Sequence, residues 1–200
     1  MRTVEHIAAD AAQASPTPKT RVHQLACIKN ESAAAFRSQT ARDVGCILDV
    51  DRNVARWRCN PLAGDFEHRA AGPDFLVTFM DGSRCYIDAP DLKRLEPQTA
   101  RLLEAEYRQI AFEELYDGFR LQNARDLLRY GGWRVSLGDR VRLLAALDEH
   151  GSLSFVECLS AIQETKPVAA VASLILSGYV DVDLDEAPLG PETMVRRIRR

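Results

Sequence analysis

Asp74 and Asp88 stand at the two ends of a segment that reads as a β-hairpin. The runs 74–79, Asp-Phe-Leu-Val-Thr-Phe, and 84–88, Arg-Cys-Tyr-Ile-Asp, are rich in strand formers and are joined through Met80, Asp81 and Gly82. An Asp-Gly pair between such runs is a hairpin signal, and a three-residue loop would place Gly82 in the left-handed region. Phe79 then faces Ser83, and the register runs back to set Asp74 opposite Asp88 with both carboxylates on one face. Directly opposed like charges destabilise a sheet, so a cation between them is expected. Mg²⁺, which binds through one or two carboxylates and keeps several waters, would serve. Two other readings stay open. The carboxylates repel weakly in solvent at the strand ends, or a two-residue Asp81-Gly82 turn sends them to opposite faces.

The elements that must position this pair follow from periodicity. Phe36, Thr40, Val44, Ile47 and Leu48 fall at helical spacing within 31–49. Residues 54–59 alternate as a half-buried strand, with Arg56 and Arg58 on one face and Ala55, Trp57 and Cys59 on the other. Asn60-Pro61 closes it. Beyond the hairpin, helical spacing returns from Pro97 to Ile110 through Leu102, Leu103 and Tyr107, a strand is expected over 110–116, and a helix over 122–130. The order α, β, β, β, α, β, α predicts an α/β fold, a mixed sheet with helices on its faces.

After Gly131-Gly132 the character changes. Val141, Leu144, Ala145 and Leu147 form an amphipathic helix that Gly151 ends; 155–162 and 167–176 read as two more, with Pro167 suited to a first turn. Tyr179 to Leu184 alternates as a strand, and Met194 to Arg196 returns as its partner. Three short helices and a hairpin is the winged-helix order. The expected organisation is a flexible leader over 1–30, small and Pro-containing at 11–20, a sheet-bearing domain over 31–131, and a winged-helix-like domain over 132–200.

Taken together, the motifs resemble one family. Ser38-Gln39-Thr40-Ala41-Arg42-Asp43, Asp51-Arg52-Asn53-Val54, Asn60-Pro61, Pro73-Asp74-Phe75-Leu76-Val77 and Asp81-Gly82 with Tyr86-Ile87-Asp88 resemble the TnsA-type transposon endonucleases. Leu121 to Tyr130 looks like the end of that nuclease domain, and Val171 to Pro191 like its winged-helix tail. The resemblance covers roughly 30–198. It implies a restriction-endonuclease-like PD-(D/E)XK fold, Mg²⁺-dependent cleavage of DNA, and docking partners in a transposase–ATPase assembly. In such a site acidic residues hold the metal, the metal activates water, and a lysine supports the attack. Asp74 matches the central metal-binding aspartate and Asp88 the acidic residue of the second strand. Pro90 stands where the lysine belongs, and Ala41 where the first helix offers a glutamate. Lys93 follows three residues after Pro90. Two of the four functional positions have lost their chemistry, so a degenerate site kept for binding is expected, with Mg²⁺ held weakly by Asp74 and Asp88.

Charge and composition set the remaining bounds. The net charge of −3 argues against a broadly basic nucleic-acid coat, yet Arg52, Arg56 and Arg58 cluster around one segment, and the chain ends Arg196-Arg197-Ile198-Arg199-Arg200. These arginines are the expected contacts to double-stranded DNA, through phosphates and without sequence preference; for the C-terminal set a solvated terminus is an equal reading. Helix 167–176 offers only Ser173 as a polar group and lacks base-reading side chains. Five cysteines without a C-x-x-C pair and four scattered histidines point to reduced thiols in a cytoplasmic protein rather than to disulfides or zinc. The sequence predicts no export segment, membrane span or phosphate-binding glycine loop. The leading expectation is a DNA-binding protein on a crippled nuclease fold. An active Mg²⁺-dependent endonuclease is the first alternative, and a winged-helix regulator or assembly adaptor the second. The oligomeric state is open.

Overall fold

Ser38 starts the first helix, because its side chain accepts the Ala41 amide and so satisfies one of the donors that a helix N-terminus leaves free. The computed structural model describes residues 25–61, 72–90 and 105–198. Helix α1 (Gln39–Val50) leads to strand β1 (Val54–Cys59). Strands β2 (Phe75–Phe79) and β3 (Arg84–Asp88) form the hairpin, and β4 (Glu106–Gln109) lies parallel to β3. The resulting mixed sheet has the order β1-β2-β3-β4. Helices α2 (Phe112–Tyr116) and α3 (Arg120–Leu128) follow, and α3 packs against α1.

The hairpin closes through the three-residue loop. Phe79 N–H donates to Ser83 O at 2.9 Å, and Gly82 has φ +86°, a region that costs glycine nothing. Phe75 pairs with Ile87, Val77 with Cys85 and Thr78 with Arg84. One face of the sheet therefore carries Trp57, Phe75, Val77, Cys85 and Ile87 into a core shared with Val44, Leu48 and Leu128.

Residues 25–30, the end of the expected leader, pack into this core through Leu25, Cys27 and Ile28. Trp57 N–H donates to Lys29 O at 3.0 Å, and Glu31 N–H to Trp57 O at 2.9 Å. That segment runs beside β1 and carries Phe36 onto α1. Phe36 sits against Trp57 and Phe75, with ring centroids 6.1 and 6.3 Å away. Gly45 makes the approach possible, because a Cβ there would meet Phe36 Cε1 at 2.9 Å.

The second part begins at helix α4 (Leu137–His150), capped by Ser136 and ended by Gly151 at φ +78°. Strand β5 (Ser152–Ser154), helices α5 (Phe155–Ser160) and α6 (Pro167–Leu176), and strands β6 (Val180–Asp181) and β7 (Met194–Arg197) complete it. Its sheet has the order β5-β7-β6. Its core gathers Leu143, Leu147, Cys158, Val171, Leu174, Val180 and Val195. The two cores meet along α3, which gives Leu128 to the first and Leu127 to the second.

Several local expectations are corrected. Tyr107 lies in β4 rather than on a helix, and 112–116 is helical rather than a strand. Glu113 and Glu114 favour that helix from its first turn, and the Phe112 and Tyr116 rings meet one turn apart, with centroids 4.5 Å apart. Ala55 is exposed, because the register slips by one residue between Val54 and Arg56. The strand expected over 179–184 is only Val180–Asp181, and β5 joins its sheet unannounced. Lys93, most of the helix expected from Pro97, and residues 1–24 of the leader lie outside the described residues. No helix among the described residues is long and apolar enough to cross a membrane.

Candidate functional site

Asp88 is the last residue of β3, and Asp74 immediately precedes β2; they are 2% and 3% exposed. At this end the ladder is closed by side chains. Asp74 N–H donates to Asp88 Oδ1 at 2.8 Å, and Ala89 N–H donates to Asp74 Oδ2 at 3.0 Å. The Tyr107 hydroxyl donates to Asp88 Oδ2 at 2.9 Å. The fourth oxygen, Asp74 Oδ1, accepts Arg37 Nε at 2.7 Å. Arg37 Nη2 lies 3.6 Å from Asp88 Oδ1 and is buried without a hydrogen-bond partner.

The cation between the two carboxylates is thus a guanidinium. Its delivery is a property of the fold. Cys59 N–H donates to Ser32 Oγ at 3.0 Å, and Asn60 Nδ2 donates to Ala35 O at 2.9 Å, which tacks the segment before α1 to the end of β1. Asn60 also donates its backbone N–H to Asp74 O at 2.7 Å and adopts φ +43° to do so. With Phe36 seated over Gly45, Arg37 has little freedom to leave.

Burial pushes the Asp88 carboxyl above the usual carboxylate range; the Asp74 amide, the Tyr107 hydroxyl and Arg37 pull it down, while the Asp74 charge raises it. A pair of buried carboxylates with one guanidinium keeps residual negative charge, so the arrangement is tense but compensated. It does not fit a divalent ion. Every carboxylate oxygen already accepts a hydrogen bond, and an ion would have to displace Arg37. Among the described residues no three His, Cys, Asp or Glu side chains gather as a metal-binding group. Ala41 is wholly buried in the first core, and Pro90 lies beyond the end of β3 with no proton to give.

No protein-family model matches this chain, and no curated protein does. What the site can do therefore rests on its geometry and on the resemblance of its motifs.

The arginines proposed for DNA fall into two groups. Arg52 is tied to Asp181 of β6 and Arg197 to Asp148 of α4. Arg56 and Arg58 are exposed on the face of β1 opposite the core, where Arg56 takes Glu31 at 3.2 Å. Arg196 is exposed on β7, and Arg199 and Arg200 lie outside the described residues. Asp74 and Asp88 come together as expected, while Arg52 and Arg196 line one depression and Arg56 and Arg58 line another. Arg37, Tyr107 and Arg84 were missed. Alternation alone places residues 84, 86 and 88 on one face, so Arg84 had a signal.

Helix α6 is a core element. Residues 169–174 are all buried, and Ser173 Oγ donates to Trp133 O at 2.9 Å. The helix packs between α5 and α3, which accounts for its lack of base-reading side chains.

Proposed function

We propose that this chain is a DNA-binding protein built on a TnsA-like, restriction-endonuclease-like fold whose nuclease site does not cut, and that it acts within a DNA-transaction assembly. The observation that carries the reading is Arg37, whose guanidinium fills the place between Asp74 and Asp88 where a nuclease of this type holds Mg²⁺. Ala41 in the core and Pro90 past the strand support it, since neither supplies a metal ligand or a cation. The mixed sheet bearing both aspartates at one end is compatible with the nuclease-like fold. The order α4, β5, α5, α6, β6, β7 with sheet order β5-β7-β6 supports a winged helix, one whose third helix is spent on packing. Such a module contacts phosphates or a partner protein rather than base edges.

The test is binding of unrelated duplexes with and without divalent ions. This reading expects similar affinity across sequences, a steep fall with salt, and the same affinity in Mg²⁺ and in chelator. Absence of binding to every duplex, or a strict requirement for Mg²⁺, contradicts it.

A further inference from the structure

The sheet face opposite the core carries a row of guanidiniums that the nuclease-like site does not use. Arg56 of β1 pairs in register with Thr78 of β2, and Thr78 with Arg84 of β3, so two arginines flank one threonine across three strands. Arg58 follows Arg56 by two residues and shares its face. All three arginines are exposed, and with Thr78 and Glu31 they line an open depression of about 440 Å³. Glu31 takes only Arg56. Among the described residues, Arg58 and Arg84 have no acidic partner, in contrast to Arg52, Arg120 and Arg197, which are tied to Asp181, Asp185 and Asp148. Three guanidiniums and one carboxylate give the depression an excess of two positive charges, with the Asp74, Asp88 and Arg37 group farther along the same face.

We propose that this open face is the phosphate-binding surface for DNA, with one strand's backbone seated on Arg56, Arg58 and Arg84. The inference rests on the DNA-binding reading above and deepens it by naming the contact surface. A guanidinium presents a planar fork of donors that matches a phosphate, and the Thr78 hydroxyl between Arg56 and Arg84 adds one more. The depression is open and its charge is mainly cationic, so it takes a continuous phosphate chain without reading bases. Arg52 and Arg197, neutralised by their own partners, take no part.

The experiment is a fluorescence-anisotropy titration of labelled duplexes of unrelated sequence, with the full chain, across about 50 to 200 mM salt. It compares the native protein, R58A/R84A, R58K/R84K and the control R52A/R197A. The substituted residues of the key pair are exposed, and thermal melts check that each variant keeps its fold. Losing two phosphate contacts lowers the magnitude of the log–log salt slope by about 1.8, and affinity in R58A/R84A falls at least about tenfold at the low-salt end. The lysine pair keeps the charge and so recovers most of the slope, while R52A/R197A stays near native. If R58A/R84A binds with native slope and affinity, or if R52A/R197A loses as much, the surface assignment is overturned and the DNA-binding reading stands. If the native protein binds no duplex, both fall together.

Discussion

Arg37 Nε donates to Asp74 Oδ1 at 2.7 Å, and the same guanidinium comes within 3.6 Å of Asp88 Oδ1. Two buried aspartates are thereby held at one end of the sheet by a side chain from the segment before α1. The opposed carboxylates call for a cation, and the chain supplies its own. The pair has a structural task besides, since each carboxylate accepts an amide from the other strand's end.

Arg37→Ala should leave those carboxylates buried without their cation, a change that typically costs about 3–5 kcal/mol. The loss should depend on pH. Asp88 already has a raised carboxyl pKa, chiefly from burial, and losing Arg37 raises it further. A carboxyl with a raised folded pKa favours the fold while protonated and loses that advantage as pH rises through the folded value. The variant should therefore recover part of its deficit on going from pH 7 to pH 5. Urea melts at the two pH values read this directly, and an equal deficit at both would remove Arg37 from its role.

Asp139→Asn tests the turn that docks α4 onto the loop before α6. The Asp139 side chain, fully buried, accepts the amides of Gln163, Glu164 and Thr165 and the Arg142 guanidinium. Its carboxyl lies far below the usual range; burial opposes this, and the amide of Gln163 and then Arg142 outweigh it. Loss of those charge-assisted bonds should cost about 2–4 kcal/mol at neutral pH. A group with a depressed folded pKa contributes above its unfolded value and loses that contribution as pH falls through the folded one. Native and variant stabilities should thus converge as pH drops below about 4. Parallel curves from pH 7 to pH 3 would contradict this.

Asn123→Ala probes the junction of the two parts. Asn123, fully buried on α3, donates to Leu184 O at 2.9 Å and Ala187 O at 2.8 Å and accepts the Leu189 amide at 2.9 Å. Removing it strands one amide and two carbonyls, at about 1–3 kcal/mol for a buried unsatisfied group. Hydrogen exchange should accelerate at Leu189 before it does in the sheet. Unchanged protection there would mean that the loop is held by other contacts.

Legibility differs element by element. The loop Met80-Asp81-Gly82 could be read because it needs one residue at positive φ and glycine stands there. The bounds of α6 were clear because Pro167 fixes its first turn and the run to Leu176 is unbroken. Tyr107 misled because β4 alternates exposed with half-buried residues and carries no apolar stripe, so helical spacing from Leu103 looked as good. Phe112 and Tyr116 suggested a strand by type, but their contact is one helical turn long. The aspartate pair was visible through register alone. Arg37 was not, because it precedes α1 in an irregular segment placed by Asn60, Cys59 and Gly45, all distant in sequence. The register slip at Ala55 had no local signal either.

On the proposed reading Arg37 stands in for the metal and the site does not cut. Nicking of supercoiled plasmid by the pure native chain, with Mg²⁺ and with Mn²⁺, tests it most directly, read beside Asp74→Ala. A metal-assisted hydrolysis needs both a bound ion and a group to help deprotonate the attacking water, whereas among the described residues all four oxygens of Asp74 and Asp88 already accept hydrogen bonds, one of them from Arg37. Plasmid should stay supercoiled with the native chain and with Asp74→Ala alike. Metal-dependent cleavage by the native chain that disappears in Asp74→Ala would contradict it and make the protein an endonuclease.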